Sequence, residues 1–300
     1  MNLNKNIIQA VLACLSIVLC ACGHNTTVPI DLQAHRGGAG LMPENTFSSM
    51  KNALDLGVNT LEMDLQISAD GQVVLSHDNY FHYRCAIRPD GTPVQKGEAK
   101  EYLYTMPYDS IAKYEVGLKY TEQWPEKILL SEHVPLASLL IDYTEKYASD
   151  NKLPLPNYNI EIKSSADEGE GINWPDYKTF CDTSIPLLLS KNLGKRLIVQ
   201  TFDVRSLEYI HQRWPEVTLA FLTKKDTDIK DILSRISFLP GWWSPHFSVV
   251  TAENVAYCHS LGIKVVPWTV DEQADILAVA GCGVDAIISN YPDRLIGLLR

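Results

Sequence analysis

"TLEMDLQISADGQVVLSHD", residues 60–78, reads as two β-rich runs joined by a tight turn at Asp70-Gly71, a strong short-range hairpin signal. The runs carry Glu62, Asp64 and His77 where a half-buried sheet favours Val or Ile. With a two-residue turn, Ala69 faces Gln72 and Asp64 lies opposite His77. Side chains alternate along a strand, so Glu62, Asp64 and His77 then share one face. Two carboxylates and an imidazole gathered on one patch predict a site.

Outward from this stretch, β-rich runs alternate with helical patterns. Candidate strands fall at 32–36, 60–66, 73–77, 157–163, 197–201, 218–222, about 242–247, 264–270 and 285–289. "PENTFSSMKNALDLG" has Phe47, Met50, Ala53 and Leu54 at helical spacing before Gly57. "DVRSLEYIHQRWP" starts at a capping Asp203 and "TAENVAYCHSLG" at a capping Thr251. Strand-then-helix units with nearly continuous apolar strands mean a parallel sheet covered by helices. At 300 residues the leading fold is α/β, a TIM-type (β/α)8 barrel with an inserted segment after the third strand. Nine strands are one too many, and the hairpin accounts for the excess, having no room for a helix between its runs. An open doubly wound sheet shares much of the pattern but lacks a G-x-G-x-x-G loop here. The polar, Tyr-rich segment 79–131 directly follows His77-Asp78, and a connection of that length reads as a cover over a site.

Composition narrows the function. The net charge of −10, with no Lys/Arg cluster, argues against nucleic-acid binding. An anionic substrate therefore needs a local positive site. Residues 1–21 combine Lys5 with a short apolar run and read as an export signal. The run ends in Leu19-Cys20-Ala21-Cys22, which resembles the bacterial lipobox. Cys22 is the candidate for lipidation, with Cys20 the weaker candidate and a plain secretory signal the alternative. The expected organisation is a signal at 1–21, a tether at 22–31 and a domain at 32–300, exported to the bacterial cell envelope and facing the periplasm. Contact with the membrane would run only through the lipid. Cys85, Cys181, Cys258 and Cys282 have spacings that suit neither zinc nor a disulfide framework and read as small core residues.

Polar residues accumulate at the C-terminal ends of the predicted strands, where such barrels place their chemistry. Glu161 and Lys163 in "NYNIEIKS" share a strand face. Glu62, Asp64 and Glu161 brought close would repel one another, and one hard divalent cation, Mg²⁺ or Ca²⁺, resolves that repulsion through oxygen ligands. His35 and His77 can then exchange protons near neutrality, one as acid and one as base, while Arg36 and Lys163 supply positive charge. The set suits an anionic phosphodiester.

"AHRGGAGLMPENTFSSMKNALDLGVNTLEMDLQISADGQVVLSHD", followed by "EIK", "QTF", "WTVDE" and "IISNYPD", closely resembles the glycerophosphodiester phosphodiesterases across about 32–300. The resemblance implies a TIM-type barrel hydrolysing glycerophosphodiesters to an alcohol and glycerol 3-phosphate with a divalent cation. It implies His35 and His77 as the acid/base pair, Glu62, Asp64 and Glu161 as metal ligands, and Arg36 and Lys163 as phosphate contacts. Trp268 matches an aromatic lining the substrate pocket, and Glu44 matches a residue near the metal or glycerol, though capping the following helix is its simpler role. Ser289-Asn290 departs from the Thr-Asp often found in the family. Related activities on lysophospholipids or phosphoinositides, or a non-catalytic binding lipoprotein, are the competing expectations.

Overall fold

The computed structural model describes residues 29–119, 122–225 and 228–300. Nine strands form one sheet: β1 Asp31–Ala34, β2 Thr60–Ile67, β3 Val73–Leu75, β4 Asn157–Ile162, β5 Leu197–Thr201, β6 Thr218–Thr223, β7 Trp242–Pro245, β8 Lys264–Val265 and β9 Ala286–Ser289. Eight of them run parallel in the order β8-β7-β6-β5-β4-β2-β1-β9, and β3 lies off this path, pairing antiparallel with β2 and bridging Leu136 through Val74. Backbone bonds from Asp285 N to Val265 O, Ile288 N to Pro267 O and Val270 N to Ile288 O close the barrel between its end strands. β8 is shorter than the predicted 264–270 because Pro267 brings no N–H to the ladder. The chain nevertheless stays extended, and Trp268 N still reaches Pro245 O.

Among the described residues eight helices cover the barrel: α1 Phe47–Leu56, α2 Ala137–Asp150, α3 Tyr177–Ser190, α4 Val204–Arg213, α5 Ile229–Leu233, α6 Ala252–Ser260, α7 Gln273–Gly281 and α8 Pro292–Leu299. Thr46, Asp203 and Thr251 cap α1, α4 and α6 by accepting a backbone N–H in the first turn. Among the described residues no helix is long and apolar enough to cross a membrane.

β2 is buried on both faces rather than half-buried. Leu61, Met63 and Leu65 pack outward in the main core beneath the helices, each burial contributing roughly 1.5–3 kcal/mol. The alternate residues Thr60, Glu62 and Asp64 point into the lumen. There, Asn159 donates to Gln33 and Gln200 donates to Glu62, while Ile198, Ala220, Trp242, Val266, Ala286 and Ile288 form an apolar half. A lumen that is polar on the β1-β2-β4-β5 side explains why Glu and Asp occupy a fully buried strand.

The hairpin register differs from the two-residue turn expected. Leu65 pairs with Leu75, Gln66 with Val74 and Ile67 with Val73, leaving a three-residue loop closed between Ser68 and Gln72. Ser68 widens the turn: its Oγ accepts from Gln72 N and donates to Asp70 Oδ1, and Gly71 takes the left-handed φ of 76° that this loop type requires. Asp64 therefore faces Ser76, not His77. His77 still reaches the site because pairing ends at Leu75, and the Ser76 Oγ bond to Asp78 O turns the chain.

The segment between β3 and α2 has a small core of its own, in which Phe81 stacks on Tyr114 and Val74, Leu103, Ile111 and Val134 pack around them. Cys181 and Cys258 are free and buried in the main core. Cys85 and Cys282 are free and half-buried.

Candidate active site

Register brings the acidic residues together. β2 and β4 align Asp64 with Glu161 and Glu62 with Asn159, so the inward face of the two strands carries Glu62, Asp64 and Glu161. One carboxylate oxygen from each lies within 4.8 Å of the others, and all three side chains are buried. Gln200, beside Glu161 on β5, donates to Glu62 Oε1 at 2.9 Å, and Arg36 N donates to Glu62 Oε2 at 2.8 Å. Asn45 clamps Asp64, its Nδ2 donating to Oδ2 at 2.9 Å while its Oδ1 accepts from Asp64 N at 3.2 Å.

Two cations face these groups. Lys163 Nζ lies 2.7 Å from Glu161 and 3.0 Å from Asp64, and Arg36 lies 3.0 Å from Glu44 and 3.4 Å from Asp64. Both residues expected to hold phosphate are thus already engaged with carboxylates. Burial pushes the Glu62 carboxyl well above its ordinary value, and its neighbours Asp64 and Glu161 push it further. Burial also raises Glu161, with Lys163 only partly offsetting it. Burial acts the same way on Asp64, but Lys163 and Arg36 outweigh it and hold that carboxyl well below its ordinary value.

The donor set fits a hard divalent cation. Four carboxylates, counting Glu44, face two fixed cations, which leaves two negative charges, those one dication neutralises. Asp64 Oδ1 is wholly buried, sits on the cluster and makes no hydrogen bond of good geometry despite the nearby Lys163. Such an atom is costly unless something else coordinates it.

The turn after β1 delivers His35 and Arg36. Arg36 adopts a left-handed φ of 52°, held by its bond to Glu62. Gly37 follows at φ 78°, where a Cβ would lie 2.9 Å from the Ser49 carbonyl carbon, so no larger residue fits. His35 Nδ1 lies 2.6 Å from Asn290 Oδ1. The Asp271 carboxylate accepts from Asn290 Nδ2 at 2.7 Å and from Asn290 N at 2.8 Å, which assigns the amide orientation. His35 Nδ1 must therefore carry the proton, leaving Nε2, 4.0 Å from Glu62, as the free acceptor. Burial lowers the His35 imidazole well below its ordinary value, and Arg36 adds to the shift.

His77 sits across the cavity, half-exposed, with Nδ1 3.2 Å from Asp78. One cavity of about 190 Å³ is lined by His35, Arg36, Glu62, His77, Glu161 and Lys163, with Trp268 and Phe202 on its wall. Trp268 packs edge-on against Phe202 at 5.5 Å and donates from Nε1 to Ser244 O, so it is both a lining and a packing residue. Glu44 does not cap α1, which Thr46 does; Glu44 pairs with Arg36 instead. Asn45, Gln200, Asn290 and Asp271 have site roles that sequence reading did not assign. All four lie inside the motifs "PENT", "QTF", "IISNYPD" and "WTVDE", and an amide beside a strand-end carboxylate was the available signal. Cys22 lies outside the described residues.

Comparison with known proteins points to one family. The chain is 27% identical over 267 residues to a glycerophosphodiester phosphodiesterase of Caldanaerobacter subterraneus subsp. tengcongensis, covering 89% of this chain and 96% of that protein. It is 28% identical to a Bacillus subtilis protein of the same description, covering 87% and 83%. A lysophospholipase D of Mus musculus is 23% identical, covering 87% and 83%. The crystal structure of a putative glycerophosphoryl diester phosphodiesterase from Silicibacter pomeroyi superposes with a TM-score of 0.80 at 26% identity, covering 90% of this chain and 93% of that one. The family model described as glycerophosphoryl diester phosphodiesterase matches residues 35–294, and the chain belongs to that family.

Proposed function

We propose that the protein hydrolyses glycerophosphodiesters to an alcohol and sn-glycerol 3-phosphate, using one divalent cation, Mg²⁺ or Ca²⁺, held by Glu62, Asp64 and Glu161. The observation that carries this reading is that the cluster of those three carboxylates opens, through Glu62 and Glu161, on a cavity also lined by His35 and His77. When bound, the cation supplies positive charge to the phosphoryl oxygens as charge develops on them. Arg36 and Lys163, on the cavity wall, orient the phosphate. His35, held neutral with Nε2 free, accepts a proton of the attacking water as the water oxygen bonds to phosphorus. His77, steadied by Asp78, returns a proton to the departing alkoxide as the P–O bond breaks. The test incubates purified protein with glycerophosphocholine, glycerophosphoethanolamine and lysophosphatidylcholine, with chelator and after metal add-back. Release of glycerol 3-phosphate only with metal is the expected result, and no product from any diester sinks the reading.

Asn290 is a positioning residue in this scheme. Asn290→Ala is expected to lower kcat about 10- to 100-fold with little change in KM. The ¹⁵N shifts of the His35 ring should lose their single-tautomer signature, and an unchanged ring spectrum counts against the role.

A polar substrate is favoured over a lysophospholipid. A groove of about 540 Å³ opens beside His77, but Lys100, Asp167 and Glu168 line it along with Tyr102 and Trp174. Acyl chains need apolar walls.

Export and anchoring through Cys22 rest on the residues of the leader alone. Cys22→Ser should move the protein from the membrane fraction to the soluble envelope fraction, and continued membrane association would contradict the anchor.

A further inference from the structure

A second cavity, of about 230 Å³, adjoins the first and shares Arg36 and His77 with it. Its outer wall comes from the segment between β3 and α2, which brings Arg84, Lys119 and Lys127. Among the described residues none of these three forms an ion pair with a carboxylate. Arg84 Nη1 donates to the neutral Gln123 Oε1 at 2.8 Å. Lys119 Nζ donates to the carbonyls of Tyr83 and Val94. The Lys127 ammonium lies 5.8 Å from the centre of the Trp124 ring. The two carboxylates on the wall already have closer partners, Glu44 in Arg36 at 3.0 Å and Asp78 in His77 at 3.2 Å, so Glu44 attracts Lys127 only from beyond ion-pair distance. Cys85 also lines the cavity, and burial pushes its thiol up to about 12, which leaves it uncharged.

Three such cations facing one cavity run against a chain of net charge −10. Burial lowers the Lys119 and Lys127 amines below their ordinary value, and nearby Glu44 and Cys85 only partly restore Lys127. Half-buried cations that no carboxylate pairs with are unfavourable unless an anion arrives to meet them. A glycerol arm is neutral and a choline arm carries the wrong sign.

We propose that this cavity binds a second phosphate of the substrate, borne on the alcohol arm beyond the scissile phosphodiester. The preferred substrates are then glycerophosphodiesters with two phosphates. This inference rests on the phosphodiesterase reading above and names the substrate class of that site.

The test compares kcat/KM for bis(glycerophospho)glycerol, which has a second phosphate, with that for glycerophosphocholine, using the metal-loaded enzyme. A preference of about tenfold or more for the former is expected, because each charge-assisted contact is worth about that factor. Salt should shrink the preference by screening. Arg84→Gln and Lys127→Gln should each reduce the ratio of the two kcat/KM values by about tenfold, and Lys127→Arg should restore most of it. Arg84 is exposed, and among the described residues the Lys127 side chain makes no hydrogen bond or ion pair, so both variants should fold, which thermal melting verifies. Equal kcat/KM values, or a preference indifferent to salt and to both Gln variants, overturn the proposal while leaving the phosphodiesterase reading standing. Failure to cleave either substrate removes the phosphodiesterase reading and this proposal with it.

Discussion

His77→Ala lowers kcat on glycerophosphocholine by roughly 10²- to 10⁴-fold while the protein melts within a few degrees of the wild type. The magnitude is that of removing one positioned general acid or base. The stability expectation follows from the surroundings of His77: its side chain is half-exposed, Asp78 is its side-chain partner, and it lies beyond the last paired residue of β3. His35→Ala should cost as much in kcat and more in stability, because it empties a buried niche and strands Asn290 Oδ1. Steady-state kinetics and calorimetry on both variants check the two halves of the expectation. Full turnover in either variant would require a mechanism that does without that imidazole.

The second large effect separates two carboxylates of the same cluster. In the metal-free fold, burial and its neighbours favour the neutral form of Glu62, so Glu62→Gln should keep or slightly raise metal-free stability. Asp64 is held ionised between Lys163, Arg36 and Asn45, so Asp64→Asn leaves two buried cations short of a partner and should cost about 3–5 kcal/mol. Both substitutions remove a ligand. Metal at a hundred times its dissociation constant stabilises the wild type by about 2.7 kcal/mol, and both variants should lose most of that gain together with most activity. Calorimetry with chelator, then with Mg²⁺ or Ca²⁺, reads both quantities. A wild type whose melting is indifferent to either ion, or a Glu62→Gln variant that keeps the full metal-induced shift, would remove these carboxylates from the ligand set.

Much of the barrel could be read from local pattern. Strand runs such as 197–201 match β5 to the residue, and the caps Asp203 and Thr251 sit where their side chains can accept the first free N–H groups. These signals are local, because the period of a strand and the geometry of a cap involve neighbours in the chain. The hairpin register differs by one residue from the one the sequence predicts, because the Ser68 hydroxyl competes for the turn's backbone donors and opens it from two residues to three. For Glu44 the sequence leaves two roles, a place near the metal or glycerol and the simpler one of capping the next helix, and only the fold shows Arg36 beside it.

By itself the sequence determined the parallel barrel, the acidic residues that face its lumen and the two histidines at the strand ends, since alternation and apolar content are properties of short stretches. The tertiary structure alone decided how these groups are held: Asn45 on Asp64 across 19 residues, Gln200 on Glu62 across 138, and Asn290 on His35 across 255. It also decided that Arg36 and Lys163 meet carboxylates and that, among the described residues, three cations of the β3–α2 segment form no ion pair. The physical reason is that hydrogen-bond direction and the balance of buried charge depend on which distant strands lie side by side, and no local period of the chain records that.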